Sequence, residues 1–199
     1  MRLILVGLIC ACVGMAADVL VIGDSISIGY TPAVTALLAG KADVKHHEGN
    51  AAHTNNGVAK LEEWLGAEKL KVITFNFGLH DLKIMENGRH QVGIAEYEKN
   101  LDVIAGRLRK TGARLLFLTT TPVPEGKLSP PRRPGDDVLF NAAARRVMKK
   151  HKIRVVDLYA FAKPRLAEIQ TPANVHFTKA GSAALAEVVA KAIKEQLKK

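Results

Sequence analysis

Two short segments at opposite ends of the chain hold the residue types best suited to covalent chemistry. Near the start, an apolar run ends in Gly23-Asp24-Ser25-Ile26-Ser27-Ile28-Gly29-Tyr30 and a helical pattern follows. A serine at such a strand-to-helix turn projects its Oγ above the sheet edge, beside amides that point outward, and this suits attack on a carbonyl. The spacing is not that of the G-x-S-x-G elbow, since Ser27 stands where that motif has its second glycine. Near the other end, Asn174-Val175-His176-Phe177-Thr178 precedes the last amphipathic run. An imidazole placed there can take the serine proton, provided the fold joins the two ends. Taken singly, a serine after Gly-Asp also reads as a turn or cap residue, and a loop histidine as a solvated one.

Joining the ends is the task of the elements between them. Apolar runs rich in β-formers occupy 19–22, 44–47, 71–75, 114–119 and 154–157. Helical patterns occupy 32–38, 58–65, 94–109, 138–150, 161–169 and 179–197, the last with Ala183, Ala186, Val189 and Ile193 on one face. The strand runs are continuous rather than alternating, as burial on both faces requires. Strand–helix alternation of this kind predicts a parallel sheet with helices on both sides, whose carboxyl edge is where ligands bind. The segment 121–135 follows a strand's carboxyl end and holds Pro122, Pro124, Pro130, Pro131 and Pro134, so it is a loop.

In this order of elements the chain resembles the SGNH (GDSL-type) hydrolases. Gly23-Asp24-Ser25 after the first strand is similar to the family's first block, and Gly49 after the second strand to the glycine of its second. Gly78-Leu79-His80-Asp81 after the third strand is similar to the Gly-x-Asn-Asp block, and Val175-His176-Phe177-Thr178 to the block around the catalytic histidine. Each motif alone is weak, but the four in sequence order at strand ends span residues 19–197. The resemblance implies a three-layer α/β/α, flavodoxin-like fold around a parallel sheet of about five strands. It also implies ester hydrolysis through an acyl-serine. Ser25 would be the nucleophile, His176 its base, and the oxyanion hole would comprise the backbone N–H groups of Ser25 and Gly49 with the side chain of His80.

The chain departs from the family at two positions. His80 replaces the asparagine, and an imidazole N–H can still donate to an oxyanion. Ala173 stands where the family has the acid three residues before the histidine. Its loss leaves the His176 tautomer to be set by something else. The alternatives are a backbone carbonyl near residue 173 or a water, an acid from elsewhere such as Asp157, Asp136 or Asp137, or the amide oxygen of Asn174.

Composition narrows the rest. A length of 199 residues suits one domain able to bury its own core. Residues 1–17 read as a signal peptide: Arg2, an apolar run over 3–13, and small residues at Gly14 and Ala16. Export to the periplasm or beyond is expected, with residues 18–199 as a single domain; a lipid anchor on Cys12 is the weaker alternative. Cys10 and Cys12 both lie in the leader, so thiol chemistry is excluded from the mature chain. The formal charge is +10, from 29 Lys and Arg against 19 Asp and Glu, and it opens the way to acidic surfaces. Only 5% of residues are aromatic and no stacking pattern accompanies the bases, so nucleic acid is not an expected partner. His46, His47 and His53 lack the i, i+4 spacing of a helical zinc pair and read as solvated or substrate-contacting loop residues. No phosphate-binding glycine motif occurs, and no metal or cofactor is expected; nothing in the pattern fixes an oligomeric state. The expected function is hydrolysis of a small acyl ester, foremost an O-acetyl ester of a carbohydrate, over the loop 121–135 that is polar rather than greasy. A lipid esterase and a non-catalytic glycan-binding protein are the alternatives.

Overall fold

The structure, a computed structural model, describes residues 17–198. The segment expected to be a signal peptide, residues 1–17, therefore lies outside the described residues except for Ala17. In chain order the elements are β1 (Val19–Ile22), α1 (Ser25–Leu38), β2 (Val44–His46), α2 (Thr54–Leu65), β3 (Val72–Phe75), α3 (Ile94–Lys110) and β4 (Arg114–Leu118). There follow α4 (Asp136–His151), β5 (Arg154–Val156), α5 (Leu158–Ala162), a 3-10 turn (Lys163–Arg165), α6 (Leu166–Ile169) and α7 (Lys179–Leu197). The five strands form one all-parallel sheet in the order β2-β1-β3-β4-β5. Helices α1 and α7 pack together, and α2, α3 and α4 pack in series, which gives the three layers.

Strand order decides where the site lies. From β1 the chain steps outward to β2, then returns past β1 to β3 and continues to the other edge. The crossovers on the two sides of β1 therefore run to opposite faces, and their loops part above the carboxyl ends of β1 and β3. Ser25 follows β1 there, and His80 follows β3. Beneath them the core is apolar and fully buried, with Phe75 and Phe117 edge to face at 5.3 Å between ring centroids.

Two helices differ from the pattern expected from sequence. Helix α1 begins at Ser25 rather than near Pro32. Asp24 caps it, and Ile26, Tyr30, Val34 and Leu38 form a buried stripe at intervals of four that carries the helix straight through Pro32. The run expected over 161–169 breaks into α5, the 3-10 turn and α6, because Pro164 has no N–H to continue the ladder.

Candidate active site

The turn that carries Ser25 is braced from below. Asp24 is 2% exposed, and its Oδ1 accepts from the Ile26 N–H at 2.9 Å. Burial pushes its carboxyl pKa up; the Ile26 N–H and the charges of His176, Arg132 and Lys83 oppose that. Ser27 is buried, and its hydroxyl donates to the Asp24 carbonyl at 2.7 Å. As the first residue of α1, Ser25 leaves its backbone N–H without a partner among the described residues, at the positive end of the helix. Its Oγ lies 2.8 Å from His176 Nε2, across 151 positions of sequence.

His176 reaches that position from a tied loop. The Thr171 N–H donates to the His176 carbonyl and the Thr178 N–H to the Ile169 carbonyl, both at 2.9 Å. Gln170 Nε2 donates across to the carbonyls of Pro122 and Val175. Thr178 then caps α7, its Oγ1 accepting from the Gly181 N–H at 3.0 Å. Within this loop Ala173 adopts a left-handed φ of 50°, and Asn174 folds back on the histidine. Asn174 Oδ1 accepts from the His176 backbone N–H at 3.0 Å and faces His176 Nδ1 at 2.7 Å. A backbone N–H can only donate, so the amide atom facing it is the oxygen. The Nδ1 atom beside that oxygen therefore carries the ring proton, and Nε2 is left with its lone pair toward Ser25.

Of the alternatives for orienting His176, the structure places Asn174 there and occupies the distant acids elsewhere. Asp157 pairs with Arg145 and accepts from the Ala160 N–H. Asp136 pairs with His90, and Asp137 accepts from the Val123 N–H at 2.7 Å. Each holds the end of α4 or α5 instead of reaching the loop of His176.

His80 shares with Ser25 and His176 a cavity of about 370 Å³. The loop that carries it is anchored at both sides. Gly78 has φ +145°, and a Cβ there would fall 2.0 Å from Thr120 Oγ1, so only glycine lets the chain turn against β4. Asp81, 0% exposed, accepts from the Thr54 N–H at 2.8 Å and from the Thr54 hydroxyl, which ties the loop to the start of α2. Burial raises the Asp81 carboxyl to about 7. Burial, then the charges of Lys83, Arg132, His53 and His176, lowers His80 to about 4, so its imidazole is neutral at pH 7. Lys83 Nζ lies 2.8 Å from His80 Nδ1. An ammonium has no lone pair to offer, so Nδ1 accepts and the ring proton resides on Nε2. That N–H has no partner among the described residues.

Gly49 lies in the loop after β2 with a φ of +74°. A Cβ there would meet nothing within 4 Å, so what the fold itself asks of this position is the left-handed backbone conformation. Its neighbour Asn50 is on the cavity wall. His46 and His47 are not the solvated residues expected. His47 is 2% exposed, lies tilted against Trp64 of α2 with ring centroids 4.4 Å apart, and presents both ring nitrogens to backbone carbonyls, those of Glu48 and Gly23, while half-buried His46 stacks on His47. His46 Nε2 lies 2.7 Å from Ser27 Oγ. Lys83 and Asn50 are site residues that sequence reasoning missed. Lys83 carried one signal, its helical-turn spacing of three from His80.

Solved structures of the same fold are similar to this chain. An acetyl xylan esterase, AlAXEase, superposes with a TM-score of 0.75 at 17% identity, over 88% of this chain and 98% of its own. A lipase/acylhydrolase from Enterococcus faecalis gives 0.77 at 20% identity, over 89% and 95%. Axe2, an acetylxylan esterase from Geobacillus stearothermophilus, gives 0.71 at 18%, over 89% and 94%. No curated protein matches the sequence. The sequence profile of one family matches residues 21–184, which include Ser25, Gly49, His80 and His176. The chain belongs to the GDSL-like lipase/acylhydrolase family, hydrolases of ester bonds.

Proposed function

We propose that this chain is an exported serine esterase that removes small acyl groups, acetyl foremost, from a carbohydrate. The observation that carries the reading is the continuous chain from Ser25 Oγ through His176 to Asn174, at 2.8 and 2.7 Å. Ser25 Oγ attacks the ester carbonyl while His176 Nε2 takes its proton. The negative charge that develops on the carbonyl oxygen is met by the Ser25 and Gly49 N–H groups and by the Nε2–H of His80. None of these donors has a partner among the described residues. Collapse of this intermediate expels the alcohol, which receives the proton from His176, and leaves the acyl group on Ser25. Water then attacks the acyl-serine, His176 takes the water's proton and returns it to Ser25 Oγ, and the carboxylic acid departs.

Two observations favour a small acyl group on a sugar. The cavity is at the lower end of the size range for small-molecule sites. Its wall sets Asn50, His80, Lys83, Arg132 and Asn174 among a minority of apolar side chains rather than forming an apolar channel. The acetyl xylan esterases among the similar structures support the same choice. Export rests on the leader read over residues 1–17. The test is acetate release from acetylated xylo-oligosaccharides together with hydrolysis of 4-nitrophenyl acetate and palmitate. The acetyl substrates should turn over and the palmitate should not, and Ser25→Ala should lose at least about 1,000-fold. Preference for palmitate, or activity surviving in Ser25→Ala, would overturn it.

A further inference from the structure

Three cations line the Ser25 cavity: Lys83, Lys127 and Arg132. Some cations elsewhere on the described surface sit on carboxylates, as Arg145 does on Asp157, Arg146 on Glu98 and Lys150 on Asp102, while others, such as Lys41 and Lys60, are exposed and form no ion pair with a described residue. None of the three cavity cations forms an ion pair with a described residue. Lys83 donates to His80 Nδ1 and keeps two N–H groups free. Arg132 Nε donates to the Leu79 carbonyl at 2.9 Å and Nη1 to the Pro130 carbonyl at 3.2 Å, which leaves three of its five N–H groups. Lys127 is exposed. The one acid on the wall, Asp24, already accepts from Ile26, and its burial works against its charge.

Arg132 and Lys83 are both half-buried. Burial lowers the pKa of each, and the charge of Arg132 lowers that of Lys83 further. The charge of Asp24 raises the pKa of both and that of Asp81 raises the pKa of Lys83, but neither carboxyl pairs with a cation here, and holding two mutually repelling cations partly out of water without a contacting counter-ion is unfavourable. Backbone carbonyls and an imidazole orient these two without neutralising them, so the missing anion is one that arrives with the ligand. We propose that the molecule whose ester is cleaved here is an acidic glycan, with a ring carboxylate or sulfate held by Arg132 and Lys83 beside Ser25. The proposal rests on the esterase reading of Ser25 and names its substrate class. An anionic lipid would also satisfy the cations. The apolar lining of the cavity, however, is confined to Leu79, Leu128, Pro130, Ala173 and Val175, set among Lys83, Lys127 and Arg132, and forms no channel for an acyl chain. The net charge of +10 steers polyanions toward the molecule as a whole.

The test is calorimetric titration of the full chain with de-acetylated oligogalacturonate, its methyl ester, a sulfated galacto-oligosaccharide and vesicles of anionic phospholipid. One of the two acidic oligosaccharides should bind saturably, and the one that does identifies the acid. The methyl ester should bind at least about tenfold more weakly, and Arg132→Gln should weaken the acidic oligosaccharide by about 10- to 100-fold. Lys127→Gln, at an exposed residue without hydrogen bonds to the fold, should weaken it in the same direction. Equal affinity for the methyl ester, no binding of either acidic oligosaccharide, or binding to vesicles alone would overturn the proposal. Hydrolysis of 4-nitrophenyl acetate keeps the two readings apart. If the wild type cleaves it but binds no acid, only the acidic-glycan proposal falls. If it cleaves nothing, the esterase reading falls and the titration still decides the anion site.

Discussion

At position 174 an amide oxygen faces two N–H groups of the same histidine, and in the proposed mechanism that arrangement stands in for the acid absent at Ala173. The amide fixes the tautomer of His176 but adds no charge to stabilise the imidazolium. Asn174→Ala should therefore lower kcat by about 100-fold, as expected when a general base is no longer held in its working tautomer. Asn174→Asp should raise kcat and move the acidic limb of the pH–rate profile upward, because a carboxylate favours the protonated ring. Unchanged kcat in both variants would remove Asn174 from the mechanism. At His80 the test is chemical type: His80→Ala should cost about 100- to 1,000-fold in kcat, while His80→Asn, which keeps a donor, should retain most of it. Equal losses in the two would show that the N–H is not what matters. Ser25 and His176 were legible from residue type and placement at the two chain ends. Asn174 remained one alternative among several, because its choice depends on the left-handed turn at Ala173, which no residue-type preference announces. An Asn two residues before the histidine was the available signal, since its oxygen can accept from that backbone N–H in an Asx turn.

The elements that hold these residues carry their own tests. Asp81 ties the His80 loop to α2, with Oδ1 bonded twice and Oδ2 without a partner. Its folded pKa of about 7 lies above the unfolded value of 3.8, so between those pH values the native state holds a proton that the unfolded state has released. Its contribution to stability is complete below about pH 4 and declines as pH rises through 7. Denaturant unfolding should show the wild type losing roughly 2–4 kcal/mol from pH 4 to pH 8, and Asp81→Asn should flatten that slope. Asp24, whose pKa is also raised, contributes in the same sense and is common to both proteins, so it is the difference that reports Asp81. Identical slopes would contradict the assignment. Gly78→Ala should cost about 2–4 kcal/mol and depress kcat as well, since the clash with Thr120 displaces the two residues that lead into His80. The central strands β1 and β3 were legible almost to the residue because their runs are buried on both faces, whereas the edge strands β2 (Val44–His46) and β5 (Arg154–Val156) carry Lys45 and Arg154 in exposed positions. The start of α1 was not, because Pro32 looks like a first-turn proline and the stripe from Ile26 to Leu38 becomes visible only once α7 covers it.

At the scale of the molecule, the sheet order joins two ends 151 residues apart, so the site exists only while the whole sheet does. Leu185 is fully buried in α7, the helix that follows the His176 loop and packs on α1. Leu185→Ala should cost about 2–5 kcal/mol, and labelling of Ser25 should fall in step with the folded fraction as denaturant is added. Labelling that persists after the sheet unfolds would contradict this dependence. The sequence alone could list the histidines near residue 47 but not bury His47, because the ring against it, Trp64, lies seventeen residues further on in α2. It likewise could not place Arg132 and Lys83 in one cavity, as they come from loops after different strands. Whether Ser25 is a nucleophile activated by His176 is read most directly from intact mass after exposure to a fluorophosphonate. The wild type should carry a single adduct, and Ser25→Ala and His176→Ala none. A folded wild type that takes no adduct, or an adduct that survives in Ser25→Ala, would contradict that role.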